Sequence, residues 1–230
     1  MQRAGLALVI VLAAAAALRP ASPVSAAENS EAVLVLDVVA VSVPGRVWGA
    51  APPRFALYED GQVYVGGTSQ VVAGHLEKTE TKALDDQLAL VRKLPGLGSS
   101  MTFGEGGPRY RLQVRKGKPL DLVVTGDPAA APAAMKPLAA LLTTLAAFEH
   151  PSLRPYDPAN YALAAREAAM PGGCRAWAFP APLTEVVSGP RGVPQSAGAE
   201  WPTGATPAAV CEGGKTYQVT LRPLLPGERP

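Results

Sequence analysis

The chain has 230 residues, with 21 Lys or Arg and 19 Asp or Glu, and a formal net charge of +2 at pH 7. Arg3 and Arg19 lie in an N-terminal segment that we expect to be removed, which would leave a neutral mature chain. A neutral chain without a Lys/Arg cluster argues against nucleic acid or an anionic membrane surface as a partner.

The first 27 residues have the features of a secretory signal peptide. A short basic start is followed by an apolar run from Ala4 to Leu18 and by small residues at 24–27 that suit a cleavage site. A membrane span needs about 20 apolar residues, whereas this run stops at Arg19. We therefore predict export to the bacterial periplasm or medium, and no membrane span after cleavage.

Cys174 and Cys211 are the only cysteines, and both lie in the exported portion. In an oxidising compartment such a pair predicts a disulfide. Free thiols and a metal site are the alternatives. A metal site would need further ligands nearby, and the only histidines, His75 and His150, are far away in sequence, so we predict no metal.

The sequence of residues 28–150 predicts a mainly antiparallel α+β region built from two hairpin-helix units. A Val-rich strand at 33–43 precedes a hairpin from Phe55 to Val65, centred on Asp60-Gly61, the pair that a two-residue type I′ turn prefers. This turn would pair Leu57 with Tyr64 and leave both faces of the hairpin packed. A weaker strand at 71–78 follows.

The first helix is predicted over 81–94, where Leu84, Leu88 and Val91 recur at helical spacing and Thr81 can cap. A glycine-rich loop then follows at 97–109.

The second unit repeats this order with a clearer register. Keeping the apolar residues of the second hairpin on one face requires Val114 to pair with Leu120 and Leu112 with Leu122. One face of this hairpin is then buried and the other is exposed to solvent. A helix at 136–149 follows, with a Leu-rich stripe that faces the sheet.

Residues 151–230 are predicted to form a Pro/Gly-rich, disulfide-bonded β portion, either packed on the first region or forming a small subdomain. The segment from Tyr161 to Glu167 alternates like a strand but is Ala-rich enough for a helix; its bracketing prolines favour the strand. We expect a short edge strand at 174–182, a loop at 188–207 and a last strand at 216–221, joined to the edge strand by the disulfide. An extended tail at 223–227 follows.

Catalytic and cofactor motifs are lacking in the sequence. The glycine-rich run at 104–107 has neither the Lys nor the Ser/Thr of a phosphate-binding loop, so we predict no cofactor. Gly-x-Ser-x-Gly does not occur, and Asp85-Asp86 fit a solvated helix surface. A hydrolytic site would have to be assembled in space around His75 or His150. Either histidine within hydrogen-bond reach of a serine and an acid would overturn the ranking that puts a binding module ahead of an enzyme.

Trp48, Trp177 and Trp201 all lie in Pro/Gly-rich connections. Exposed aromatic residues on such loops can stack on sugars or anchor a protein partner, so these three form our candidate binding surface. The alternative is that they plug the ends of the sheet or pack on the disulfide.

The run from Pro53 to Tyr64, PRFALYEDGQVY, resembles a hairpin that opens many uncharacterised exported bacterial proteins. Tyr156-x-Pro158, the Trp177 segment and the ending from Arg222 to Glu228 extend this resemblance over most of the mature chain. It implies export and a shared fold, and it supplies no catalytic residues.

These features favour a non-enzymatic binding or interaction module whose partner is a protein or an envelope component. A cell-envelope hydrolase with a spatially assembled acid or Ser/His site is the main alternative. A structural or assembly accessory protein that pairs through an exposed strand edge is a third.

Overall fold

The computed structural model describes residues 31–40, 51–67, 70–170, 172–198, 201 and 207–230. The predicted signal peptide, Trp48 and the end of the first predicted strand lie outside these residues. Within them the fold is α+β, as predicted, with two largely antiparallel sheets.

The larger sheet joins both predicted hairpins. Its strands are β1 (Ala32–Val39), β2 (Phe55–Tyr58), β3 (Gln62–Val65), β4 (Val72–His75), β5 (Ser100–Phe103), β6 (Arg109–Val114), β7 (Leu120–Gly126) and β8 (Arg154–Pro155). Their order across the sheet is β5-β7-β6-β1-β2-β3-β4-β8. Since β1 pairs with β2 on one side and β6 on the other, it connects the two hairpin-helix units.

Two helices, α1 (Lys78–Val91) and α2 (Lys136–Ala146), cover one face of this sheet. The predicted apolar stripes are buried, namely Leu84, Leu88 and Val91 of α1 and Leu138, Leu141, Leu142 and Leu145 of α2. They pack against strand residues such as Leu34, Leu36 and Leu112. The second hairpin has the predicted register, Val114 with Leu120 and Leu112 with Leu122. A slip by one residue would turn the apolar residues of one strand towards water.

The smaller sheet contains β9 (Asn160–Glu167), β10 (Arg191–Pro194), β11 (Ala208–Glu212) and β12 (Lys215–Pro223), in the order β10-β9-β12-β11. A short helix, α3 (Leu183–Ser188), packs beside β9. The strand prediction for 161–167 is thus confirmed. Cys174 and Cys211 form the predicted disulfide. It ties the segment after Gly173 to β11, however, and not to the last strand.

The first hairpin forms where predicted, but its register is shifted by one residue. Leu57 pairs with Val63 and Phe55 with Val65, so the loop has three residues, 59–61, and not two. A type I′ turn needs positive φ at both central residues, but in this loop only Gly61 has it (φ 88°). The Asp60 carboxylate instead accepts a hydrogen bond from Gln62 N at 2.9 Å, a local bond that favours this turn.

Two predicted loops and one predicted strand differ in the structure. The predicted loop at 97–109 contains β5, which pairs in parallel with β7. The predicted loop at 188–207 contains β10, which pairs with β9. The expected edge strand at 174–182 is, among its described residues, only an isolated bridge between Arg175 and Val210. Such short strands depend on a distant partner for their hydrogen bonds, so little local pattern reveals them.

Helix α1 begins earlier than predicted. Glu77 is the N-cap residue, and its backbone N–H donates to the Glu80 carboxylate at 2.8 Å. Thr81, the predicted cap, lies inside the first turn, where its hydroxyl donates to the Lys78 carbonyl at 3.1 Å. Glu80 is thereby held at the start of the helix, facing the loop after α2.

Candidate functional site

The C-terminal tail, residues 224–230, lies on the face of the larger sheet opposite the helices. Leu225 is 4% exposed and packs in one cluster with Tyr58 and Tyr64. The Tyr58 hydroxyl donates to the Pro226 carbonyl at 2.8 Å, and the Tyr156 hydroxyl donates to the Leu224 carbonyl at 3.0 Å. Burial raises the pKa of both tyrosines, so they remain donors and hold the tail in place.

A cleft of about 290 Å³ lies between the tail and the sheet. Residues of β1, β2 and β6, including Val35, Asp37 and Gln113, form one wall. Arg222 and the tail residues 225–229 form the other. The volume is near the lower end of pockets that hold small molecules.

Asp37 is the one charged residue in the apolar sequence of β1. Side chains alternate along a strand, so Leu34 and Leu36 face the helices while Val35 and Asp37 line the cleft. No residue that the structure describes donates a hydrogen bond to the Asp37 carboxylate. Burial raises the pKa of Asp37 from 3.8 to about 6, and the negative charge of Glu228 adds to this.

The two arginines that oppose this rise, Arg111 and Arg222, are each engaged by another carboxylate. Arg111 donates to both oxygens of Asp121, at 3.0 and 2.7 Å, and thereby lowers the pKa of Asp121. Arg222 donates to Glu228 at 2.7 Å. Three carboxylates therefore share two guanidinium groups, and Asp37 is the one without a direct ion pair to a described residue.

A second polar cluster lies between the ends of the two long helices. His150 Nδ1 is 2.7 Å from Ser152 Oγ, and His150 Nε2 is 2.9 Å from Glu80 Oε1. His150 therefore lies within hydrogen-bond reach of both a serine and an acid, which is the arrangement set out above as favouring a hydrolase over a binding module. The sequence predicted no such meeting, because Glu80 lies far from His150 in the chain.

The remaining bonds show how Ser152 is used. Ser152 Oγ accepts from His75 N at 3.0 Å and lies 3.1 Å from His75 O. Ser152 N donates to His150 Nδ1 at 3.2 Å, so Nε2 carries the proton that is donated to Glu80. A hydroxyl has one proton, and Nδ1 can accept it because the ring proton is on Nε2. Of its two acceptors, His150 Nδ1 at 2.7 Å is closer to Ser152 Oγ than the His75 carbonyl at 3.1 Å, and a bond to Nδ1 is the one that a nucleophilic serine makes.

The contacts between Ser152 and the backbone of His75 have a structural reason. Strand β8 pairs only with Val72 and Ala73 of β4, which leaves the next backbone groups of β4 without a partner strand. The Ser152 hydroxyl oxygen accepts from the N–H of His75 and lies 3.1 Å from its carbonyl, where that strand would otherwise pair. The cluster of His75, Glu80, His150 and Ser152 thus closes the sheet edge and ties it to α1.

The described tryptophans of the candidate surface contribute to the core of the smaller sheet. Trp201 is 8% exposed, and its ring lies 4.8 Å from that of Phe179. Trp177 is half-buried beside Phe179, and its indole N–H donates to the Ala181 carbonyl at 2.8 Å. Trp201 is therefore mainly a packing residue, and a binding role for Trp177 stays a prediction.

Sequence reasoning did not select the residues that meet at the cleft. Asp37 carried a usable signal, a lone carboxylate within a run of Val and Leu. Arg222 and Glu228 carried none, because they reach Asp37 only once the tail has folded back. Asp85 and Asp86 form exposed ion pairs with Lys116 and Lys82, as a solvated helix surface would.

Comparison with protein-family models, with curated proteins and with solved structures finds no match to this chain. Of the helices that the structure describes, none is both long and apolar enough to cross a membrane.

Proposed function

We propose that this is an exported bacterial binding protein whose ligand occupies the cleft between the larger sheet and the C-terminal tail. The observation that carries the proposal is the Asp37 carboxylate, which lines the cleft without a hydrogen bond from any described residue. Burying a charge without a partner is costly, and such groups concentrate at functional sites. A ligand that donates to Asp37 would offset that cost.

Three features support export. The N-terminal sequence has the pattern of a signal peptide, and the chain contains a disulfide between Cys174 and Cys211. Disulfides persist mainly in oxidising compartments outside the cytosol. The resemblance of the Pro53–Tyr64 hairpin and of the C-terminal sequence to exported bacterial proteins agrees with both.

The test is a thermal-shift screen of the mature, oxidised protein and of an Ala51→Trp variant. Ala51 is half-buried and lines the cleft, so an indole there fills the space that a ligand needs. The panel contains metals, envelope sugars, peptidoglycan fragments and common metabolites. A ligand at about 100 times its Kd stabilises the native state by about 2.7 kcal/mol. We expect one class to stabilise the natural protein and not the variant.

Ala140→Trp is the matched control, because Ala140 is exposed on α2, on the other side of the sheet. This variant should respond to the ligand like the natural protein. A ligand shift that survives Ala51→Trp would place the binding site elsewhere and contradict the proposal.

The His150 cluster supports a second candidate function, a cell-envelope hydrolase with Ser152 as nucleophile, His150 as base and Glu80 as the orienting acid. The two short distances from His150 favour it. Its test is the release of products from activated esters, peptides and peptidoglycan fragments by the natural protein and by Ser152→Ala. Turnover that disappears in Ser152→Ala and persists in Ser188→Ala would put this function first.

A further inference from the structure

We propose that the ligand group that contacts Asp37 is an organic cation, a primary ammonium or a guanidinium. This inference rests on the proposed binding function of the cleft and specifies the chemistry of its ligand. It stands on the position of Asp37 in the cleft wall and on the ion pairs around it.

Asp37, Asp121 and Glu228 carry three negative charges, whereas Arg111 and Arg222 carry two positive charges. Arg111 is committed to Asp121 through two hydrogen bonds, and Arg222 is committed to Glu228 through one. Neither arginine donates a hydrogen bond to Asp37 in the structure. A cationic ligand would complete the set with a charge-assisted hydrogen bond, the stronger kind in a partly dehydrated site.

The other charged residues of the cleft do not supply this charge. Arg115 pairs with Glu31 at 3.2 Å, and both side chains are exposed. Arg229 also lines the cleft but is exposed, so water and salt screen its charge. Asp37 is half-buried and forms no ion pair with any residue in the described part of the chain.

An organic cation fits better than a metal ion. Calcium takes six to eight oxygen ligands, and zinc usually takes three or four protein ligands. Among the residues that the structure describes, no three His, Cys, Asp or Glu residues are placed to hold a metal ion. The apolar side chains of Val35, Ala56 and Leu225 also line the cleft, and they suit the carbon skeleton of an amine.

Protonation of Asp37 should control this binding. The charged groups that face it are Arg111 and Asp121 on β6 and β7 and Arg222 and Glu228 on β12 and the tail. With burial they set a pKa of about 6 for Asp37. Amine affinity should therefore fall about tenfold for each pH unit below that value, and binding near it should release a proton.

The experiment compares cations with neutral partners of similar shape by calorimetry and thermal shift, at about pH 7.5 and about pH 5. The pairs are cadaverine with 1,5-pentanediol, glucosamine with N-acetylglucosamine, and Nα-acetylarginine with Nα-acetylcitrulline. We expect at least one cation to bind at least about tenfold more tightly than its neutral partner, and more weakly at the lower pH. Asp37→Asn should remove the preference.

Asp86→Asn is the matched control, since Asp86 is an exposed aspartate on α1, and it should keep the preference. The inference is overturned if no cation outbinds its neutral partner at millimolar concentration, or if the preference survives Asp37→Asn. Its failure can be told from that of the proposed function. If a neutral ligand binds and its thermal shift disappears in Ala51→Trp, the proposal that the cleft binds a ligand stands. Only the inference that the ligand is a cation is then refuted.

Discussion

The Asp37 cleft and the His150 cluster both bring together titratable residues from distant parts of the chain, and they differ in how their polar atoms are satisfied. In the His150 cluster, Ser152 bonds the backbone of His75, and both ring nitrogens of His150 have partners. In the cleft, the arginines near Asp37 are already paired with other carboxylates.

This difference separates a structural role from a binding role. A fully satisfied cluster needs nothing further and stabilises the elements that it joins. A half-buried carboxylate without a donor destabilises the fold, and a ligand can reverse that effect.

The largest expected effect is stabilisation by Asp37→Asn at neutral pH. The folded-state pKa of about 6 lies above the usual 3.8, so between these values the folded protein binds more protons than the unfolded chain. Stability should therefore fall as the pH rises from about 4 to about 6 and then level off. The shift corresponds to about 3 kcal/mol.

Urea unfolding of the natural protein and of Asp37→Asn at about pH 4 and about pH 7.5 measures this effect. The variant should lack this pH dependence and gain about 3 kcal/mol only at the higher pH. A variant that is less stable at neutral pH would mean that the carboxylate has a favourable partner, and the contrast with the His150 cluster would disappear.

A smaller effect of the opposite sign is expected for Tyr58→Phe. The change leaves the buried Pro226 carbonyl without its donor, at a cost of about 2 kcal/mol. Tyr217→Phe is the control, because no described residue hydrogen-bonds to the Tyr217 hydroxyl, and it should change the free energy of unfolding little. Equal effects of the two changes would show that Tyr58 does not hold the tail.

The smallest effect is expected for Ser152→Ala. The loss of the hydroxyl leaves the N–H and the carbonyl of His75 to water, which should cost about 1 kcal/mol because His75 is exposed. Ser188→Ala, which removes only a bond to Thr184 within α3, should cost less. A Ser152→Ala variant with unchanged stability would remove the structural explanation of the cluster and strengthen the hydrolase alternative.

The sequence predicted the elements with strong local signals. Leu84, Leu88 and Val91 repeat at helical spacing, and their helix formed with those residues buried. The alternation in β6 and β7 excludes a slip by one residue, which would expose the apolar side chains of one strand, and the predicted register is present. The prediction failed at the turn of the first hairpin, where one glycine suits either of two loop lengths.

The sequence by itself thus determined the α+β class, the positions of both hairpins and both long helices, and the pairing of Cys174 with Cys211. Only the tertiary structure decided that β1 lies between the hairpins, that β5 and β10 are strands, and that Asp37 meets Arg222 and Glu228. The physical reason is the distance along the chain over which each interaction acts. Periodicity and turn chemistry act between residues that are near in the chain, whereas burial and ion pairing depend on distances that exist only after folding.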